Sequence, residues 1–163
     1  MDIFRIIFII PIILSPSVTL CLDPCNEVLK LHRMDERGDL ESLIKAGNRL
    51  QKTGIEDRYI SQIIAMAYYE KKEYDNSIIW LNKAISYSYI CGGLKPRYNG
   101  LNDELDTATL HYILSKALSL NGEEEKSEIH YQTAFNLLKG AFGNDFTEEK
   151  ANWYFNIVSK DLN

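Results

Sequence analysis

The sequence predicts an all-α fold of stacked two-helix hairpins, and three observations carry that prediction. The first is the run Ile64-Ala65-x-x-Tyr68-x5-Tyr74-x-x-Ser77-x3-Leu81-x-x-Ala84-Ile85, in which small and large residues recur at helical spacing on either side of a short polar break. The second is its echo, Leu114-Ser115-x-x-Leu118-x5-Glu124-x-x-Ser127-x3-Tyr131-x-x-Ala134-Phe135, which keeps the same spacing position by position. The third is a weaker half-unit, Leu40-x-x-Leu43-x3-Gly47-x-x-Leu50, set one period of about 34 residues before the unit at Tyr74.

Each element has a local reason. In the first hairpin, Arg37-Gly38-Asp39 supplies the turn, although Lys30 and Leu31 stand where a large and a small apolar residue are expected. In the middle hairpin, Ala65 is the small residue at which two helices approach most closely, and Lys71-Lys72-Glu73 makes the turn. Ser77 and Ala84 then lie seven apart on one face of the second helix with bulky Leu81 between them, a ridge-and-groove pattern. In the last hairpin, Ser115, Ser127, Ala134 and Tyr131 repeat these roles, and Gly122 relieves the backbone at the turn. A two-helix unit cannot bury its apolar face alone, so a final helix is expected to close the stack. Residues 147–161 fit it: Thr147-Glu148-Glu149-Lys150 resembles the start of a capping box, and Ala151, Tyr154, Phe155 and Val158 follow at helical spacing.

These residues together resemble a tetratricopeptide repeat protein. The resemblance implies a right-handed superhelical stack of about three repeats, at residues 24–57, 58–91 and 108–141, with an insertion at 92–106 and a capping helix at 147–161. It also implies a concave face lined by the first helix of each repeat. Carried onto this chain, that lining is Tyr59, Gln62, Met66, Tyr69 and Glu70 in the middle repeat and Thr109, Tyr112, Lys116 and Ser119 in the last. Tyrosine offers a flat apolar body with a hydroxyl handle, which suits capture of an extended peptide or a partner helix. Within the insertion, Lys95, Arg97 and Tyr98 form a basic-aromatic cluster able to reach an acidic partner.

The amino terminus has the build of a secretory leader over residues 1–20: Arg5, an apolar run from Ile6 to Leu14, then Ser15-Pro16-Ser17 as an exit. The run is shorter than the roughly 20 residues a bilayer core requires and is interrupted by Pro11, so no stable membrane span is expected after processing. Cys21 follows directly, which offers lipid anchoring as an alternative, with Leu20 standing where a lipobox calls for a small residue. A periplasmic or secreted location follows from the leader. About 140 residues then remain, enough for one core and one domain, 24–163.

The chain carries a formal charge of −5 and no basic stripe, so it presents little to a phosphate backbone and nucleic acid is not an expected ligand. Its three cysteines would meet an oxidising compartment on export. In alternating antiparallel helices Cys25 and Cys91 fall on the same edge, which makes them a candidate disulfide, and Cys21 with Cys25 is the rival.

Chemistry is poorly represented. A nucleophilic Cys91 with His111 or His130 as base would trail a helix carboxyl end, where the dipole opposes a thiolate, and no orienting acid has diagnostic spacing. His32, His111 and His130 form no HxxxH or HExxH pair, so neither a metal nor another cofactor is expected. The expected function is therefore a non-catalytic adaptor or scaffold that binds a protein or peptide segment outside the cytoplasm, with self-association through an uncapped end as a further option. An immunity-type inhibitor that blocks an exported enzyme is the second class, and a small-ligand carrier or enzyme the third.

Overall fold

The computed structural model describes residues 23–90, 103–143 and 145–160, and the buried side chains are all carried on helices or the turns between them. Seven α-helices make up the described residues: α1 Pro24–Asp35, α2 Leu40–Lys52, α3 Arg58–Glu70, α4 Tyr74–Ser86, α5 Asp103–Leu120, α6 Glu124–Phe142 and α7 Glu148–Lys160. No strand occurs among them, as the all-α reading requires. The leader segment 1–20, Cys21, Cys91 and the loop residues Lys95, Arg97 and Tyr98 lie outside the described residues.

The helices start where the sequence supplies an acceptor for their orphan amides. The Asp23 carboxylate accepts from the Cys25 N–H with Pro24 in the first turn, Asp39 accepts from the Ser42 N–H, and Asp57 from the Ile60 N–H. Helices α4 and α6 lack a side-chain cap and begin instead from a tight turn. Three turns share one geometry. Asp39 N–H donates to the Met34 carbonyl, Glu73 N–H to Tyr68 and Glu123 N–H to Leu118, each across a residue of positive φ: Gly38 at 68°, Lys72 at 61° and Gly122 at 82°. Lysine thus occupies the left-handed position that glycine fills in the other two turns, at a steric cost glycine avoids.

Each helix packs mainly on its sequence neighbours, α1 on α2, α2 on α3, α3 on α4, α4 on α5 and α5 on α6, with α1 also touching α3 and α7 lying on both α5 and α6. Where the hairpins close, Ala65, Ala84, Ala117 and Ala134 are buried without exposed surface. Ser77 Oγ donates to the Ala65 carbonyl at 2.9 Å, and Ser127 Oγ donates to the Ser115 carbonyl at 2.8 Å. These paired bonds give the small-residue spacing a physical role: the serine is narrow enough to admit its neighbour and returns its hydroxyl to that neighbour's backbone. A Cβ added at Gly47 would lie 2.1 Å from Ile64 Cδ1, so glycine there admits α3 against α2.

One boundary differs from expectation. Helix α5 begins at Asp103, so the last residues of the segment read as an insertion form a first helical turn. An acidic run in the sequence suits a helix amino terminus, where the backbone dipole favours negative charge. Helix α7 falls within a residue of its expected bounds and starts beside Thr147, whose Oγ1 accepts from the Lys150 N–H.

Candidate functional site

The residues expected to line an open face divide into two groups. Tyr59, Gln62, Met66, Thr109 and Tyr112 are buried. The Tyr59 hydroxyl meets His32 Nδ1 at 2.6 Å, and the two rings meet edge to face at 6.0 Å, which seats α3 on α1. Thr109 donates to the Leu105 carbonyl at 2.9 Å and shares a 2.9 Å hydrogen bond with the Tyr154 hydroxyl. Tyr112 stacks flat on Phe155 with centroids 4.0 Å apart, and its hydroxyl reaches Ser159 Oγ at 2.8 Å. Gln62 is fully enclosed, and neither end of its amide hydrogen-bonds to protein among the described residues. Helix α7 is the reason on the α5 side: its inner face occupies the surface that the resemblance leaves open.

The second group keeps solvent access at the carboxyl halves of α3 and α5. Tyr69 is half-buried and meets Tyr74 edge to face at 5.6 Å. Its phenol is held above the ordinary range, first by burial and then by the neighbouring phenols of Tyr74 and Tyr112. Lys116 is exposed, with Nζ 5.4 Å from the Tyr112 ring centroid, and Glu70 is exposed beside Tyr69. Tyr74 and Tyr69 therefore form a short half-buried aromatic strip, and the buried Tyr112 ring links it to the exposed Lys116 cation.

Two further arrangements were not anticipated. At the start of α3, Arg58 is nine-tenths buried: its Nε lies 3.2 Å from Asp106 Oδ2, a terminal nitrogen donates to Thr107 Oγ1 at 2.6 Å, and its guanidinium sits 5.5 Å from the Tyr89 ring. The Tyr89 hydroxyl donates to the same Asp106 oxygen at 2.5 Å. Beside it, buried Asp57 accepts from the backbone N–H groups of Ile60 and Ile90, at 2.9 and 2.7 Å. This network joins the start of α3, the exit from α4 and the first turns of α5. The charged residues that form it are separated by long stretches of sequence, and charge in isolation reads as surface.

His111 and His130 also meet, Nδ1 to Nδ1 at 2.9 Å with rings stacked at 5.1 Å. A signal for this was present: once Ser115 pairs with Ser127 across the hairpin, the next turn outward places 111 opposite 130. Burial, then His130 and Arg58, push the His111 imidazole down to about 4, and burial lowers His130. The His111 value lies below the roughly 6.5 of an unfolded histidine, so its neutral form stabilises the native state above that pH. That contribution is lost as pH falls from about 6.5 toward 4. Denaturant titrations at about pH 7 and pH 4.5 are expected to differ by about 2 kcal/mol through this group, after allowance for its partial exposure. His111→Gln should remove most of that difference.

Among the described residues no group of three or more histidine, cysteine or acidic side chains is placed to hold a metal, and no helix is long and apolar enough to cross a membrane. No family model matches the chain, and no curated protein matches it.

Proposed function

We propose that the protein is an exported, non-catalytic adaptor of the tetratricopeptide-like class that captures a protein segment along the strip from Tyr74 and Tyr69 to Lys116. The observation that carries the reading is the half-buried Tyr69–Tyr74 pair, set on packed helices between exposed Glu70 and exposed Lys116. Preformed helices lose little freedom on binding, so modest contact area yields useful affinity. The repeat assignment is supported by the matched serine-to-carbonyl bonds and the three matched turns.

Export to an oxidising compartment would let Cys25 pair in a disulfide. We assign Cys91 as its partner rather than Cys21. Cys25 opens α1, α1 packs on α3, and the Asp57 cap of α3 holds the Ile90 amide, the residue before Cys91.

The test is crosslinking and affinity capture of the carboxyl-tagged full-length protein from its native cells, with mass spectrometry of the bait and its companions. The expected result is a stoichiometric envelope or secreted partner, lost on Lys116→Glu and reduced on Tyr69→Ala while circular dichroism stays unchanged. The same spectra report leader removal and the Cys25 pairing. A bait recovered alone despite efficient crosslinking, or a partner indifferent to both substitutions, would overturn the reading.

A further inference from the structure

Helix α7 has two apolar faces. Ala151, Phe155 and Val158 are buried against α5 and α6, as a closing helix requires. On the opposite side Trp153 is 66% exposed and Ile157 44% exposed, and Phe142, 54% exposed, lines the same 290 Å³ cleft as Trp153. An outward tryptophan at the end of a helical stack is costly in water and is where a further unit would dock.

The charges flanking this face say what docks there. Glu149, Trp153, Ile157 and Lys160 follow one another along a single stripe, within about a quarter turn of the helix, and all four are exposed. The stripe is acidic at its amino end, basic at its carboxyl end and apolar between. Laid antiparallel on a second copy of itself, it brings Glu149 opposite Lys160 and Trp153 opposite Ile157 in one register, to within a residue. Both ion pairs form at once because the arrangement is two-fold symmetric. A parallel pairing would instead set like charges side by side.

We infer that α7 is a self-docking surface, and that two copies of the chain associate tail to tail through antiparallel α7 helices about a two-fold axis near residue 155. Each tryptophan then covers the partner's Ile157, and the stack is closed by its own copy. This surface is separate from the strip proposed for partner capture, so the two can be tested independently.

The test is sedimentation equilibrium of the full chain across about 1–100 μM, a range that detects dimers of micromolar affinity. The expected species is a dimer. Trp153→Asp should weaken it roughly 30-fold or more, as loss of a central aromatic anchor does, with helical content retained. Glu149→Lys and Lys160→Glu should each loosen the dimer, and the double variant should restore it, because the swapped charges again face one another. Trp153 fluorescence should shift to the red on dilution. A monomer throughout the range overturns the proposal, as does a dimer that ignores Trp153→Asp or a double variant weaker than both singles. A heterologous protein lost on Trp153→Asp from a chain that stays monomeric would overturn it in favour of a different occupant.

Discussion

Replacing Asp106 by alanine is expected to destabilise the fold by about 3–5 kcal/mol, measured by urea denaturation, because it leaves the Arg58 guanidinium buried without its counter-charge. The size of the effect comes from the orphan, not from the attraction lost. Desolvating an ion costs several kcal/mol, and the ion pair roughly offsets that cost rather than adding to stability. It follows that Arg58→Met combined with Asp106→Leu should cost much less than Asp106→Ala alone, since the double variant removes both charges. Tyr89→Phe, which deletes one hydroxyl donor to the carboxylate, should cost only about 1 kcal/mol. If Asp106→Ala costs less than Tyr89→Phe, the guanidinium has found water and the network is not closed.

Tyr112→Ala is the second large effect, expected at about 3–5 kcal/mol. The ring is 5% exposed, stacks on Phe155 and sends its hydroxyl to Ser159, so truncation opens a cavity beneath α7 and removes a contact that holds it. The readout is the denaturation midpoint together with protease sensitivity near residues 145–160, which should rise. This has a bearing on any binding assay. Tyr112 belongs to the positions that a repeat resemblance marks as ligand-facing, yet a loss of binding in Tyr112→Ala would report the loosening of α7. Lys116→Glu changes the exposed end of the same strip and removes only a cation beside the Tyr112 ring, leaving the Phe155 stack and the Ser159 bond in place, which makes it the cleaner probe.

The hairpins were legible in the sequence because they follow from local rules. Small residues at Ala65, Ser77, Ser115 and Ser127 and glycine at two of the turns each report a requirement within one or two turns of helix. The start of α5 was not legible, because an acidic run after glycine reads equally as a loop or as a helix amino terminus. The face of the site was the larger surprise. A position within a repeat tells which side of a helix a residue occupies, but not what lies across from it. Tyr59 is met by His32 on α1, and Tyr112 by Phe155 on α7. The Arg58–Asp106 pair depends on contacts between residues almost fifty positions apart, which no local pattern encodes.

The wiring of the helices, each bound mainly to the one before and the one after, has a kinetic side. Contacts between near neighbours close short loops, so any hairpin can serve as a starting point and the search for the native arrangement is brief. The same wiring limits how far a disturbance travels. Damage at α7 peels the chain from that end and reaches α1 and α2 only by passing through every hairpin between them. With helices wired this way, a change in one is felt first by the helices it touches directly.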